Sequence, residues 1–147
     1  MIGEIVKDFS AIDQDGNKFR LYDILGKGLK VLLIFYPRDN SPVCTKQLSD
    51  YQANKNYFAG RNIFLLGVNI AGGSSHKNFC TQSKIDFPIL IDESKHISKQ
   101  FNALNFLGSN KRKLILIGTD KKIVFERTVF ALTYLSSDEI FHALSGH

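Results

Sequence analysis

Cysteine is scarce in this chain of 147 residues: Cys44 and Cys80 are the only two. Two thiols are too few for a disulfide framework or a cysteine-built metal cage. The four histidines (His76, His96, His142 and His147) show no paired ligand spacing, so no metal is expected. Proline is also rare, at three residues, and the eleven glycines are scattered. No linker, low-complexity tract or internal repeat divides the chain, and a single domain over residues 1–147 is expected. The longest apolar stretch, Val31 to Tyr36, is far below the roughly 20 residues that cross a bilayer. No basic segment followed by an apolar core opens the sequence, so no secretory leader is visible and a cytoplasmic location is expected. A static structural disulfide is out of place in that compartment. Charge of one sign is not concentrated either. Nineteen Lys and Arg against fourteen Asp and Glu give +5, yet the densest group is only Lys111-Arg112-Lys113. That spread fits a solvated surface better than a nucleic-acid footprint. The two thiols are then inert core groups or a redox pair.

Hydrophobic residues make up 44% of the chain, enough for a real core, and their order is informative. Asn17 to Leu21 follows the turn signal Asp15-Gly16 and reads as an early hairpin strand. Leu29 to Tyr36 is a nearly unbroken apolar run, suited to a central strand buried on both faces. After Pro37, Ser41 is a good N-cap and Pro42 fits the first helical position. Cys44, Leu48, Tyr51 and Phe58 then mark one inward helical face. Ile63 to Ile70 is a second strand, and Ala71-Gly72-Gly73 turns into a helix capped by Ser74 or Ser75. Pro88 to Ile91 is a short strand, and Ile97, Phe101 and Leu104 suggest a short amphipathic helix. Lys113–Ile117 and Ile123–Arg127 read as paired strands joined at Thr119-Asp120-Lys121. Ser136 and Glu139 make a capping box for a last helix carrying Ile140, Phe141 and Leu144. Crossover helices imply parallel pairing early, and the late hairpin implies an antiparallel edge. The class is α/β with a mixed central sheet flanked by helices.

Cys44 lies in the first turn of its helix, just beyond the C-terminal end of a central strand, where α/β sheets usually place their sites. An ordinary cysteine, with a pKa of roughly 8.5, is mostly protonated at neutral pH. Unpaired N–H groups and the positive end of the helix dipole favour the thiolate. Ser41 puts a hydroxyl three residues away, and Arg112, just before the Lys113–Ile117 strand, is the candidate cation. A cysteine on an apolar helical face is more often simply core. Pro37 ending a strand and Ser41 capping a helix fit either reading.

The stretch F-Y-P-R-D-N-S-P-V-C-T, Phe35 to Thr45, carries the pattern Pro37-x-x-x-Ser41-x-x-Cys44. It resembles the peroxiredoxin active-site motif, and more closely that of the bacterioferritin comigratory protein (PrxQ) branch. The likeness extends through V-K-D-F-S-A, D-Q-D-G-N, G-V-N-I, S-S-H-K-N-F, F-P-I-L-I-D and Arg112, covering about the whole chain. It implies a thioredoxin-like fold with an N-terminal β extension and a peroxidase that needs no metal or organic cofactor. Cys44 would be the peroxidatic cysteine, reducing hydrogen peroxide and organic hydroperoxides through a sulfenic acid. Pro37 would shield it, Ser41 would bind the peroxide, and Arg112 would stabilise thiolate and transition state. The resemblance also implies a monomer re-reduced by a thioredoxin-type partner, without nucleic acid or membrane.

Three departures matter. Val43 stands where glycine is common, and Ser41 replaces the commoner threonine but keeps the hydroxyl. Ser49 occupies the place, five residues after the nucleophile, where many members of this branch carry a resolving cysteine. Some members place that cysteine on the helix after the second strand, where Cys80 falls. A Cys44–Cys80 disulfide in each turnover is therefore expected, and it requires Cα atoms within about 7 Å, hence partial unwinding of one or both helices. His76 to Ser83, rich in mediocre helix formers, is expected to be among the least stable elements. Three alternatives stay open. One is a one-cysteine peroxidase with Cys80 only packing, and another is a non-catalytic thioredoxin-like binding module. The third, a thiol–disulfide oxidoreductase, would want a cysteine where Ser41 stands.

Overall fold

The computed structural model describes residues 2–37, 42–70, 84–129 and 133–145. In chain order its elements are β1 (Ser10–Ile12), β2 (Lys18–Arg20), α1 (Leu21–Leu25), β3 (Lys30–Phe35), α2 (Pro42–Ala53) and α3 (Lys55–Gly60). There follow β4 (Ile63–Asn69), β5 (Ile89–Ile91), α4 (His96–Gln100), β6 (Arg112–Ile117), β7 (Ile123–Val129) and α5 (Ser137–Leu144). Strands β5-β4-β3-β6-β7 form a mixed sheet. In it β3 is central, parallel to β4 and antiparallel to β6. The β1–β2 hairpin stands apart as a two-stranded N-terminal sheet.

Alternation along β3 divides the core in two. Leu32, Ile34 and Tyr36 face one cluster, with Cys44, Leu48, Tyr51 and Phe58 of the following helices and Ile140 of α5. Val31, Leu33 and Phe35 face the other, with Leu21, Ile24 and Leu25 of α1 and Ile97 of α4. A strand buried on both faces has no polar side, which is why its sequence reads as a continuous apolar run.

Several strand ends differ from the sequence expectation by a residue or two, and four further differences have a local reason. The Asn17–Leu21 strand ends at Arg20, because Leu21 is buried and opens α1 with its N–H on the Phe9 carbonyl at 3.0 Å. The long helix expected through Phe58 breaks at Asn54. Its side-chain amide donates to the Asp50 carbonyl at 2.9 Å, offering the backbone a competing partner. Phe58 nevertheless stays in the same core cluster, now on α3. Leu104 lies beyond α4, which stops at Gln100 as Asn102 turns left-handed (φ 52°). Arg112 is the first residue of β6 rather than the residue before it. The final helix matches expectation: Ser136 Oγ accepts from the Glu139 N–H and the Glu139 carboxylate accepts from the Ser136 N–H. The helix expected after Gly73 lies outside the described residues.

A polar clasp joins α2 and α3 to the approach of β5. Asp86 accepts from Lys55 at 2.7 Å and from Gln52 at 2.8 Å, while Gln52 Oε1 accepts from the Asp86 N–H at 3.0 Å. These bonds, Lys55's first, hold the Asp86 carboxyl below its ordinary range. A depressed folded-state value adds stability above the unfolded value and loses it as pH falls through the folded one. The pair is exposed to water, so the term is small. Asp86→Asn is expected to cost less than about 1 kcal/mol at neutral pH, and urea unfolding in strong acid should find no difference from the parent chain.

Candidate active site

The site forms at the edge of the sheet where β3 ends and β6 begins. Phe35 pairs with Lys113, so Arg112 lies one step further, level with Tyr36. Side chains alternate along a strand, and Arg112 therefore shares the face of Leu114 and Leu116, which pack in the cluster of Cys44. Lys113, one residue on, points to the opposite face, where its ammonium donates to the Phe101 carbonyl at 2.8 Å. Parity alone thus decides which of two adjacent cations meets the thiol.

Cys44 is the third residue of α2 and wholly buried, and Arg112 is 2% exposed. Arg112 Nη2 donates to Cys44 Sγ at 3.2 Å, and Nη1 donates to Gln47 Oε1 at 2.6 Å. A guanidinium this far from water must be met by acceptors, and an anionic sulfur is a better one than a neutral thiol. The first turn of α2, where Cys44 sits, adds unpaired N–H groups and positive potential. The arrangement suits a reaction in which negative charge sits on, or moves away from, the sulfur.

Behind the arginine runs a second layer. Gln47 Nε2 donates to Tyr51 Oη at 3.2 Å, and Tyr51 Oη donates to the Leu135 carbonyl at 2.6 Å. Both side chains are wholly buried. Burial drives the Tyr51 phenol far above its usual range, so it remains a neutral O–H donor. Asp50, the residue before Tyr51 on α2, accepts the Ser137 N–H at 2.8 Å, so the start of α5 is tied to the same helix.

The structure brings Cys44 and Arg112 into contact. Pro37 follows the buried Tyr36 at the end of β3 and is itself half-buried. Ser41 and Cys80 lie outside the described residues. Gln47 was not singled out from the sequence, although a signal existed. It is three residues after Cys44 and four before Tyr51, and so an amide on an otherwise apolar helical face. Among the described residues no cluster of three or more metal-ligating side chains occurs, and no helix is long and apolar enough to cross a membrane.

The chain matches the family model described as AhpC/TSA family over residues 2–126. A putative peroxiredoxin bcp of Helicobacter pylori strain J99 is 34% identical over 102 residues, 69% of this chain. That match spans just under two thirds, 66%, of the relative's own length. The 1-Cys peroxiredoxin PER1 of Arabidopsis thaliana is 28% identical over 153 residues, covering 99% of this chain and 70% of that protein. Among solved structures, peroxidoxin BcpB from Mycobacterium tuberculosis superposes with a TM-score of 0.80 at 28% identity, over 86% of this chain and 84% of that one. The fold is thus the thioredoxin-like one of these proteins: a mixed sheet flanked by helices.

Proposed function

Because the chain belongs to the AhpC/TSA family, we propose that it is a thiol peroxidase in which Cys44 cleaves the O–O bond of a hydroperoxide. The observation that carries the assignment of the nucleophile is the 3.2 Å hydrogen bond from Arg112 Nη2 to Cys44 Sγ in a buried site. The thiolate attacks one peroxide oxygen, the O–O bond breaks, and the departing oxygen leaves as an alcohol or water once protonated. Cysteine is oxidised to sulfenic acid and the peroxide is reduced by two electrons. Arg112 and the N–H groups of the first turn of α2 stabilise the charge that shifts from sulfur to oxygen. Ser41 holds the peroxide and Pro37 shields the sulfur. Hydrogen peroxide and organic hydroperoxides are both substrates. Sulfur carries all the electrons, so neither metal nor organic cofactor is required.

The sulfenic acid then condenses with the Cys80 thiol, releasing water and leaving a Cys44–Cys80 disulfide. A dithiol reductant of thioredoxin type returns both cysteines to thiols. The enzyme works as one domain, as a monomer, in a reducing cytoplasm. A second reading, in which Cys80 takes no part, draws support from the relative named a 1-Cys peroxiredoxin.

Unreduced peptide mass spectrometry after one equivalent of hydrogen peroxide separates these readings. Rapid loss of two hydrogens, with the Cys44 and Cys80 peptides linked, is the expected result. Added oxygen on Cys44 alone keeps the peroxidase and removes Cys80 from the cycle. Oxidation of Cys44 no faster than that of a simple thiol ends the peroxidase reading.

A further inference from the structure

On the peroxidase reading, we infer that Tyr51 and Gln47 are positioning residues that fix the guanidinium of Arg112 at Cys44 through a one-way chain of hydrogen bonds anchored on the Leu135 carbonyl. The two ends of the chain dictate every proton in it. Arginine has only donors, so the Gln47 atom that faces it at 2.6 Å must be the oxygen. The amide nitrogen must then face Tyr51, at 3.2 Å. At the other end a backbone carbonyl has only lone pairs, so the single hydroxyl proton of Tyr51 goes to Leu135, at 2.6 Å. The hydroxyl is left free to accept from Gln47, which is what the amide requires. No flip of the amide and no rotation of the hydroxyl satisfies all three contacts in any other way.

Burial makes this arrangement consequential. Gln47 and Tyr51 are wholly buried, so water is not there to replace a lost partner. The chain also crosses the fold. Cys44, Gln47 and Tyr51 lie at spacings of three and four on one face of α2, Arg112 opens β6, and Leu135 lies just before α5. A backbone carbonyl near the C-terminal helix thereby takes part in aiming a guanidinium at the sulfur. On this reading both Tyr51 and Gln47 act through Arg112.

A double-mutant cycle on the second-order rate constant for hydrogen peroxide tests this, with melting temperatures taken in parallel. Gln47→Leu removes the acceptor for Arg112 and is expected to slow the reaction about tenfold or more, the scale of one hydrogen bond to a charged group. Tyr51→Phe is expected to slow it several-fold, and the double variant should be no slower than Gln47→Leu alone, since Tyr51 acts only through Gln47. Gln47→Glu, which keeps an acceptor for Arg112, should recover most of the rate lost in Gln47→Leu. Effects that multiply in the double variant would overturn the inference, as would a Tyr51→Phe enzyme of unchanged rate. Should Tyr51→Phe not fold, the comparison of Gln47→Leu with Gln47→Glu decides, and equal rates for the two overturn it. A parent chain no faster than a simple thiol removes the peroxidase reading and this inference with it. A fast parent with unaffected variants removes this inference alone.

Discussion

Arg112→Met is expected to lower the rate constant for peroxide by about two to three orders of magnitude, the usual loss when a preorganised donor is taken from a buried oxyanion-type site. Methionine is close in length and apolar, so it fills the space without bringing a new polar group. What disappears is the cation that donates to Cys44 Sγ at 3.2 Å and the charge that offsets negative potential at the site. Stability should change far less than rate, because exchanging a buried charge for an apolar side chain removes its desolvation penalty too. Gln47 Oε1 loses its donor in that variant, which limits any gain. Arg112→Lys provides the control. Lysine keeps the charge as a single point and cannot span Sγ and Gln47 with the two arms of a planar fork. Its rate should fall between those of the parent and the methionine variant. Competition kinetics against a reference peroxidase would settle the matter, and a methionine variant within threefold of the parent would refute the role given to Arg112.

Phe58→Ala should produce the largest loss of stability, about 3–5 kcal/mol. Phe58 is wholly buried on α3, edge-on to Tyr51 with ring centroids 6.1 Å apart, and 4.8 Å from the ring of Phe141 on α5. Truncation leaves a hole where three elements meet: α2, α3 and the closing helix. For a chain of this length the melting temperature should fall by about 10 °C or more. Below that transition the peroxide rate should stay within a few-fold of the parent, since the hydrogen bonds of Tyr51 do not involve Phe58. The two variants thus separate along different axes, one in chemistry and one in folding. A calorimetric shift of only a degree or two would show that the neighbouring rings collapse into the space.

Much of this was legible in the residues themselves. The apolar run of β3, the capping box of α5 and the late hairpin follow from patterns that local physics enforces, and the structure keeps them. The contact between Cys44 and Arg112 was anticipated through the family resemblance that Pro37, Ser41 and Cys44 carry and through the strand that follows Arg112. Other features were hidden for identifiable reasons. Phe58 stands seven residues after Tyr51, in phase with the same helical face, so the sequence reads as one helix, and the side-chain bond of Asn54 to the Asp50 carbonyl marks the break between α2 and α3. Arg112 reads as a loop residue because a charged side chain is seldom buried inside a strand, and the acceptors that permit it come from α2. Gln47 escapes notice because a glutamine in a helix usually faces water. Its role depends on a carbonyl 88 residues later in sequence, at Leu135.

The opposed directions of Arg112 and Lys113 have a consequence for how this site tolerates change. Both cations are buried, and each has its own acceptors on its own side of the sheet. Sliding β6 by a single residue against β3 would turn the lysine toward the sulfur and the arginine away. It would also turn Leu114 and Leu116 out of one core and Ile115 and Ile117 out of the other. A loss or gain of one residue next to Arg112 is therefore a chemical substitution as much as a structural one. The packing of four ordinary aliphatic side chains is what keeps the arginine, and not its neighbour, in front of the thiol.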